Sequence, residues 1–561
     1  MLEKLFSKNS FHVINKVKWK NTQRSLLKIF LIMVIVFHSL LLKADVGIEW
    51  MSTYNNSSVN LGEVPVAIAL DDSGNVIVTG YSTGSSGFND YATVKYNSSG
   101  IQQWVNRFNG TGNFDDRAES IVTDDFGNVY VTGRALMTIT GYDYVTIKYN
   151  SSGQQLWMKT FNGFVGGGRD EAKIVKIDKL NNVIVTGIIQ TAFSAFDILT
   201  IKYDQNGNEI WTKQFNGSGN ADDKPYSLFL DNQNNIYITG SIGINLDNND
   251  IITIKYNSDG TQEWAKTYSG IDNHDERGIG VVSDNQNNIY VGGYTYTGGI
   301  TGYDFILIKY NSVGDQQYFK TTNYSGDSQD LADVMGIDSS SNIYLTGNIS
   351  YYNSFTCKYD TAGNLLWSRY KSSCTPSALE TDNLGNVYIS GKTSQNPSDY
   401  MLIKYNESGT IVWSEFYDGP EHSNDYSSGM AIDRNRNIYL TGSSLYNATS
   451  WDFATIKYSE PLNIKLVSNE IPGKFNLNQN YPNPFNPNTV ISYDIKNAYN
   501  LKVKLSIFNS SGMEIVTLVN DYQNEGNYNF KFEGSQLSSG VYFYKLTVGE
   551  ISEVKKMLLI K

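Results

Sequence analysis

A unit of about fifty residues recurs eight times along this chain. The stretch DYATVKYNSSG at 90–100 returns as DYVTIKYNSSG at 143–153 and in looser form six more times. Each copy contains a Lys-Tyr pair, and the eight lysines are Lys95, Lys148, Lys202, Lys255, Lys309, Lys358, Lys404 and Lys457. Such a period is typical of repeat folds, in which each copy buries its apolar surface against its neighbours.

Each copy predicts four short β-strands, which we call a, b, c and d. In the first copy they are VAIAL at 66–70, NVIVTG at 75–80, YATVKY at 91–96 and the run around Trp104. Alternation with period two and abundant β-branched and aromatic residues favour strands. Asp-x-x-x-Asn suits a tight a–b turn, and Asn-Ser-Ser-Gly suits the c–d turn. Four strands per copy predict a β-propeller blade.

The last copy ends at Tyr458 without a strand d. A spare tryptophan-bearing strand, VGIEWMSTY at 46–54, precedes the first strand a. We expect this strand to complete the last blade. The predicted fold class is therefore all-β, with an eight-bladed propeller over 45–458 that the N-terminal strand closes. Seven blades and a stray unit are the alternative.

The first 44 residues have the pattern of a signal peptide. A basic region ends at Lys28, the apolar run IFLIMVIVFHSLLL follows, and Ala44 is a small residue at which cleavage could occur. A membrane-spanning helix, the alternative, needs about 20 apolar residues. We therefore expect no transmembrane segment in the mature chain.

The repeat resembles the bacterial β-propeller repeat family called SBBP. The resemblance is carried by DYVTIKYNSSGQQLW and DDFGNVYVTG, and it extends over about 46–458. It implies a propeller fold, but no particular activity, because one fold serves many functions.

A different pattern follows a linker at 459–474. Alternating runs between glycine turns at 475–561 predict a small Ig-like antiparallel β-sandwich. NYPNPFNP at 480–487, SGVYFY at 539–544 and KKM at 555–557 resemble the type A C-terminal sorting domain of type IX secretion cargo. The resemblance implies that residues 475–561 engage the type IX machinery, and that the protein is secreted or lies on the cell surface. An unrelated surface sandwich is the alternative.

The composition argues against several classes of function. The net charge is −12, although the first 44 residues carry eight Lys/Arg and one Glu, so a nucleic-acid partner is not expected. Beyond the signal region only His274 and His422 are histidines, which is a poor supply for zinc or a Ser-His-Asp site. No catalytic residue or cofactor is predicted, and no specific motif supports bound calcium. Cys357 and Cys374 form a candidate disulfide in an exported protein.

An acid recurs eight residues before the Asp of seven a–b turns. These acids are Glu63, Asp116, Asp170, Asp223, Glu276, Asp330 and Asp425, and Cys374 takes the place in the seventh copy. Strand a is the innermost strand of a blade, so the acids would ring one mouth of the central channel. They either face a cation or polar ligand, or bond backbone amides of their own loops.

Aromatic residues gather in the loops before strand c. They are Tyr142, Phe196, Tyr303, Tyr352 and Trp451. Because the b–c and d–a loops vary most in length, function is expected there. Aromatic faces suit carbohydrate binding, and equally suit packing of loop on loop. The sequence favours a non-enzymatic binding or scaffold module for a polymer or a protein, with an unknown surface glycan or protein as ligand. The alternative is an extracellular polysaccharide-active hydrolase or lyase.

Overall fold

The computed structural model describes residues 46–561, except 57–61, 138–140, 164–166, 192–194, 220, 246–247, 273, 299–301, 325–328, 351, 446–449, 461–474, 496–500, 511, 525 and 550. The predicted signal peptide at 1–44 and most of the linker lie outside these residues. The chain divides into two compact units between residues 461 and 462.

The described residues of the first unit form 33 strands. They are β1 (Gly47–Tyr54), β2 (Glu63–Leu70), β3 (Val76–Thr83), β4 (Asn89–Tyr96), β5 (Gln102–Phe108), β6 (Arg117–Thr123), β7 (Val129–Met137), β8 (Gly141–Tyr149), β9 (Gln155–Phe161), β10 (Gly168–Arg169), β11 (Glu171–Ile177), β12 (Val183–Gln190), β13 (Phe196–Tyr203), β14 (Glu209–Phe215), β15 (Lys224–Leu230), β16 (Ile236–Asn245), β17 (Asn248–Tyr256), β18 (Gln262–Tyr268), β19 (Arg277–Ser283), β20 (Ile289–Tyr296), β21 (Tyr303–Tyr310), β22 (Gln316–Thr322), β23 (Asp330–Ile337), β24 (Ile343–Ile349), β25 (Asn353–Tyr359), β26 (Leu365–Lys371), β27 (Cys374–Thr381), β28 (Val387–Thr393), β29 (Tyr400–Tyr405), β30 (Ile411–Tyr417), β31 (Asp425–Ile432), β32 (Ile438–Leu445) and β33 (Trp451–Ser459).

These strands form antiparallel sheets of four strands in chain order, for example β2-β3-β4-β5. One sheet also takes the short parallel strand β10 beside β8. In the last sheet β1 supplies the outer strand, pairing with β33 so that Gly47 lies opposite Ser459 and Tyr54 opposite Phe453. The predicted all-β fold of four-stranded antiparallel sheets is confirmed. Among the residues that the structure describes, no helix is long and apolar enough to cross a membrane.

The first strand of each sheet packs against the first strand of the next. The succession runs β2, β6, β11, β15, β19, β23, β27 and β31, and β31 in turn contacts β2. Buried apolar clusters lie between adjacent sheets; one of them joins Tyr54 and Phe453 to Val76 and Val94.

The a–b turns are built by local hydrogen bonds. In the first copy, Asp71 Oδ1 accepts from the backbone N–H groups of Ser73 (3.0 Å) and Asn75 (2.9 Å). Lys95 Nζ lies 2.8 Å from Asp71 Oδ2, and both side chains are buried. The repeated Asp, Asn and Lys therefore hold the strands of one sheet together.

The repeated tryptophans join one sheet to the next. Trp104 Nε1 donates to the carbonyl oxygen of Ser151 (3.1 Å) in the following sheet. Its ring covers Gly153, where a Cβ atom would come within 2.8 Å of the indole and where φ is +86°. Glycine is needed at this turn for both reasons. Trp50 of β1 makes the equivalent contacts with Ser98 (3.0 Å) and Gly100 of the first sheet.

In the second unit, the described residues form seven strands in two antiparallel sheets around an apolar core. The strand orders are β34-β35-β38 and β37-β36-β39-β40. The bounds are β34 (Phe475–Leu477), β35 (Asn488–Ile495), β36 (Leu501–Phe508), β37 (Glu514–Gln523), β38 (Gly526–Glu533), β39 (Gly540–Val548) and β40 (Ile551–Leu559). Asn480 is buried and donates to Thr489 Oγ1 (2.9 Å) and to the carbonyl oxygen of Pro482 (3.1 Å).

Candidate functional site

One end of the first unit carries the variable loops. Because each sheet is antiparallel, its a–b and c–d turns lie at one end, and its b–c and d–a connections lie at the other. We call the second end the loop face. The predicted acids and aromatic residues all lie at this face, where strands a and c begin.

The acids of the predicted ring bind the backbone of their own loops. Asp116 Oδ2 accepts from the N–H of Gly110 (2.5 Å), and its Oδ1 accepts from the N–H of Leu136 (2.8 Å). Equivalent bonds from backbone N–H groups reach four further acids, at Asp170, Asp223, Asp330 and Asp425. Glu63 and Glu276 make longer bonds of the same kind.

The ring is buried. Its seven members, Glu63, Asp116, Asp170, Asp223, Glu276, Asp330 and Asp425, are at most 1 % exposed. Burial and the backbone hydrogen bonds favour the alternative interpretation, in which each acid orders its own loop, over a ring that faces a ligand. The acid recurs in nearly every copy because each sheet needs the same kind of loop closure.

The candidate disulfide between Cys357 and Cys374 is not formed. Both thiols are free and buried. Cys357 packs in an apolar cluster with Phe355, whereas Cys374 packs in a different cluster with Trp367. The Sγ atom of Cys374 lies 3.2 Å from Ser354 Oγ, so this cysteine fills the space that an acid fills in the other sheets.

Burial shifts the titration of the ring. It raises the pKa of Glu63, Asp116 and Glu276 to about 7 and that of Asp223 to about 6. A second buried acid at the start of the preceding strand c adds to the shift, for example Asp90 beside Asp116. The folded chain therefore holds protons that the unfolded chain releases near pH 4.

We expect the free energy of unfolding to fall as the pH rises from about 5 to about 8. A raised pKa in the folded state stabilises the fold below the unfolded pKa, and this contribution disappears as the pH passes the folded pKa. A difference of one pKa unit corresponds to about 1.4 kcal/mol, so four carboxyls give an effect of several kcal/mol. Urea unfolding of the purified protein at both pH values measures this change in the free energy of unfolding.

Glu63→Gln should flatten this profile, whereas Asp72→Asn, in an exposed a–b turn, should leave it unchanged. A stability that is constant or rises over this pH range would contradict the prediction. Below about pH 4 the trend should reverse. Although burial opposes it, Lys173, Arg134 and Arg169 lower the pKa of Glu171 to about 2.

The five predicted aromatic residues do not form one cluster. Tyr142 lies under the guanidinium of Arg134, 5.0 Å from Cζ to ring centroid, and Phe196 lies 5.8 Å from Lys224 Nζ. Tyr303 belongs to a tyrosine cluster, and Trp451 stacks on Tyr426 at 5.2 Å. Tyr352 is 66 % exposed. Four of the five therefore take part in ring–ring or cation–ring contacts.

Sequence reasoning missed the cations that accompany these rings. In three copies the residue directly after the structural acid is Arg117, Lys224 or Arg277. Along a strand, side chains alternate between faces, so this residue is partly exposed where the acid is buried. The residue at this position differs from copy to copy, whereas the acid before it recurs. A variable position next to a repeated one indicates a surface residue with its own role, and this signal was present in the sequence.

Cation–ring contacts link neighbouring sheets into an arc on the loop face. Arg117 Cζ lies 4.8 Å from the Tyr81 ring centroid of the preceding sheet. Salt bridges continue the arc: Arg134 and Lys173 both pair with Glu171, and Lys173 Nζ lies 2.6 Å from Glu171 Oε2. The arc continues with Lys224 over Phe196 and with Arg277 over Tyr226 (5.7 Å), and a separate pair is Lys392 over Tyr426 (4.6 Å).

A group of carboxylates on the same face could hold a cation. One oxygen each of Asp399, Asp418 and Asp425 lie within 4.8 Å of one another. Asp418 also lies 2.6 Å from Nδ1 of the exposed His422, and this bond raises the pKa of that histidine. His274 contacts the ring of Tyr296 instead, with centroids 3.7 Å apart.

Two family models match the chain. The Secretion system C-terminal sorting domain matches residues 479–561, and the SBBP Beta-propeller repeat matches 210–247 and 421–446. An uncharacterized WD repeat-containing protein of Acanthamoeba polyphaga mimivirus is 26 % identical over 457 residues. That match covers 63 % of this chain but only 31 % of the viral protein.

The solved structures that the chain is similar to include the Dos1 propeller and PorZ. The Dos1 propeller has a TM-score of 0.47 and 8 % identity, covering 74 % of this chain and 95 % of its own. PorZ, a surface component of the type-IX secretion system of Porphyromonas gingivalis, has a TM-score of 0.36 and 11 % identity, covering 89 % and 81 %.

The family matches agree with the motifs and with the two units of the structure. The sorting domain implies an interaction with the secretion machinery. The chain therefore carries SBBP β-propeller repeats and a type IX secretion C-terminal sorting domain, and it is secreted or located at the cell surface.

Proposed function

We propose that the first unit is an eight-bladed propeller over 45–458 that strand β1 closes, and that 475–561 is an Ig-like sandwich. A signal peptide at 1–44 and a linker at 459–474 complete this organisation. Support comes from the pairing of β1 with β33 and from Trp50. This tryptophan joins the last sheet to the first by the same contacts that the other tryptophans make between adjacent sheets. Closure removes an exposed sheet edge, which would otherwise favour aggregation.

We infer that this propeller is a non-enzymatic binding module, and that its loop face holds a sugar polymer outside the cell. The observation that carries this inference is the arc of rings and cations, which differs from sheet to sheet while the buried acids repeat. Aromatic faces pack on the apolar faces of sugars, and planar polar groups bond their hydroxyls. A rigid surface of this kind suits an extended ligand.

Binding of glycans to the purified full chain tests this function. We expect Tyr142→Ala and Trp451→Ala each to weaken binding of the glycan that emerges from a broad screen by about tenfold, because each variant removes one stacking face. Phe126→Ala is the matched control, since this exposed ring lies in an a–b turn at the opposite end. Equal losses in all three variants, or no glycan binding at all, would contradict the proposal.

An extracellular polysaccharide-active enzyme is the second candidate. The partly exposed carboxylates Asp399 and Asp418 favour it, because a pair of carboxyl groups can cleave glycosidic bonds. An enzyme should turn over a polysaccharide and lose that activity in Asp418→Asn, but not in Asp72→Asn. A binding module should show no turnover in either variant.

A further inference from the structure

The arc contains one arginine whose charge no neighbour balances. Arg117 pairs with Asp115 at 3.7 Å and Lys224 with Asp222 at 2.7 Å, whereas Arg277 has no salt bridge with any residue that the structure describes. Its Nε atom is buried and has no hydrogen-bond partner there, as is also true of Arg117 and Arg134, so the missing salt bridge is what distinguishes Arg277. A buried donor without a partner is costly, and native structures keep few of them without a reason.

The acids beside Arg277 are already engaged. Asp275 accepts from the backbone N–H (3.1 Å) and the side-chain amide (2.6 Å) of Asn249. Glu276 is buried and accepts from the N–H of Tyr296 at 3.3 Å. Neither carboxylate is within salt-bridge distance of the guanidinium, so its donors remain available to a ligand.

Tyrosine rings surround this guanidinium. Its Cζ atom lies 5.7 Å from the ring centroid of Tyr226 and 5.9 Å from that of Tyr294. Tyr303 stands edge-on to Tyr294, with centroids 5.7 Å apart, and contacts Tyr296 at 5.5 Å. Tyr226 is 37 % exposed, so the group is open to solvent. A planar cation beside exposed rings fits a ring-shaped ligand with a planar anion.

We propose that Arg277, Tyr226 and Tyr294 bind a carboxylated sugar within a mostly neutral polysaccharide. The guanidinium pairs with the carboxylate through two parallel N–H···O bonds, and the tyrosines cover the sugar ring. A dense polyanion is excluded, because the net charge of −12 would repel it. This inference rests on the proposed function and names the chemical class of its ligand.

Calorimetric titration of the full chain tests the inference with three oligosaccharide probes. The first is an N-acetylglucosamine oligosaccharide that contains a single glucuronate, the second is the same chain with that carboxyl group reduced to an alcohol, and the third carries sulfate in place of the carboxylate. We expect the first probe to bind most tightly. Arg277→Gln should lower its affinity about tenfold or more and leave the reduced probe unaffected.

Arg434→Gln is the matched control, because Arg434 is exposed in an a–b turn at the opposite end and should not affect binding. Arg277→Lys keeps the charge but loses the planar fork, and it should recover only part of the affinity. An unchanged unfolding temperature shows that both Arg277 variants fold.

Equal binding of the carboxylated and reduced probes overturns the inference but leaves the polymer-binding function intact. Tighter binding of the sulfated probe also overturns it. If no sugar probe or screened glycan binds, the proposed function fails together with this inference.

Discussion

A chain that lacks 475–561 should leave the cytoplasm, fold its propeller and stop in the periplasm. The motifs of the removed residues match a sorting domain, while the repeat is complete before the linker. The two units have separate cores, so removal of the second should leave the first folded. We expect the amount at the cell surface to fall from nearly all of the exported protein to almost none, as cell fractionation would measure.

The reciprocal experiment attaches 475–561 to a passive reporter that has a signal peptide. The reporter should reach the surface in a host with the type IX machinery. In this fusion, Asn480→Ala should reduce export, because it removes the two hydrogen bonds that the buried side chain donates and the one that it accepts from Gln479, a loss of about 1–3 kcal/mol. Tyr522→Ala, at an exposed position, is the control. Surface delivery of the truncated protein at wild-type levels would contradict the sorting assignment.

Removal of the first strand should have the largest effect on stability. A protein that begins at residue 56 lacks β1, so β33 keeps only β32 as a partner and becomes an exposed edge. It also loses the packing of the partly buried Trp50 ring on the first sheet, which adds to the loss of stability. We expect the unfolding temperature of the propeller to fall by roughly 10 °C or more, with aggregation on heating. Thermal unfolding beside a protein that begins at residue 45 measures the difference.

Trp264→Ala is the control for this truncation. Trp264 makes the same kind of contact inside the chain, where it donates to Ser312 and covers Gly314. The substitution removes similar packing but leaves every strand paired, so it should lower stability without promoting aggregation. If the truncated protein unfolds at the temperature of the longer one, closure by β1 is wrong.

The sequence by itself determined the parts of this protein that depend on local chemistry. The Asp-x-x-x-Asn turns are readable because Asp71 bonds residues only two and four positions away. Strand alternation and the sorting motifs are likewise contained in short segments. The spare strand at 46–54 was found because a repeat that lacks one strand implies where the missing strand must come from.

Only the tertiary structure decided what the side chains of the loop face do. The same acid pattern suits a ligand ring and loop closure, and burial of Glu63 and Asp116 separates the two. Whether Cys357 meets Cys374 depends on which apolar clusters receive them. Arg277 stands out because Tyr226, 51 residues earlier in the chain, lies beside it, while none of the described acids forms a salt bridge with it. Such contacts depend on how adjacent sheets pack. The sequence of one repeat does not show which side chains of the neighbouring repeat will contact it.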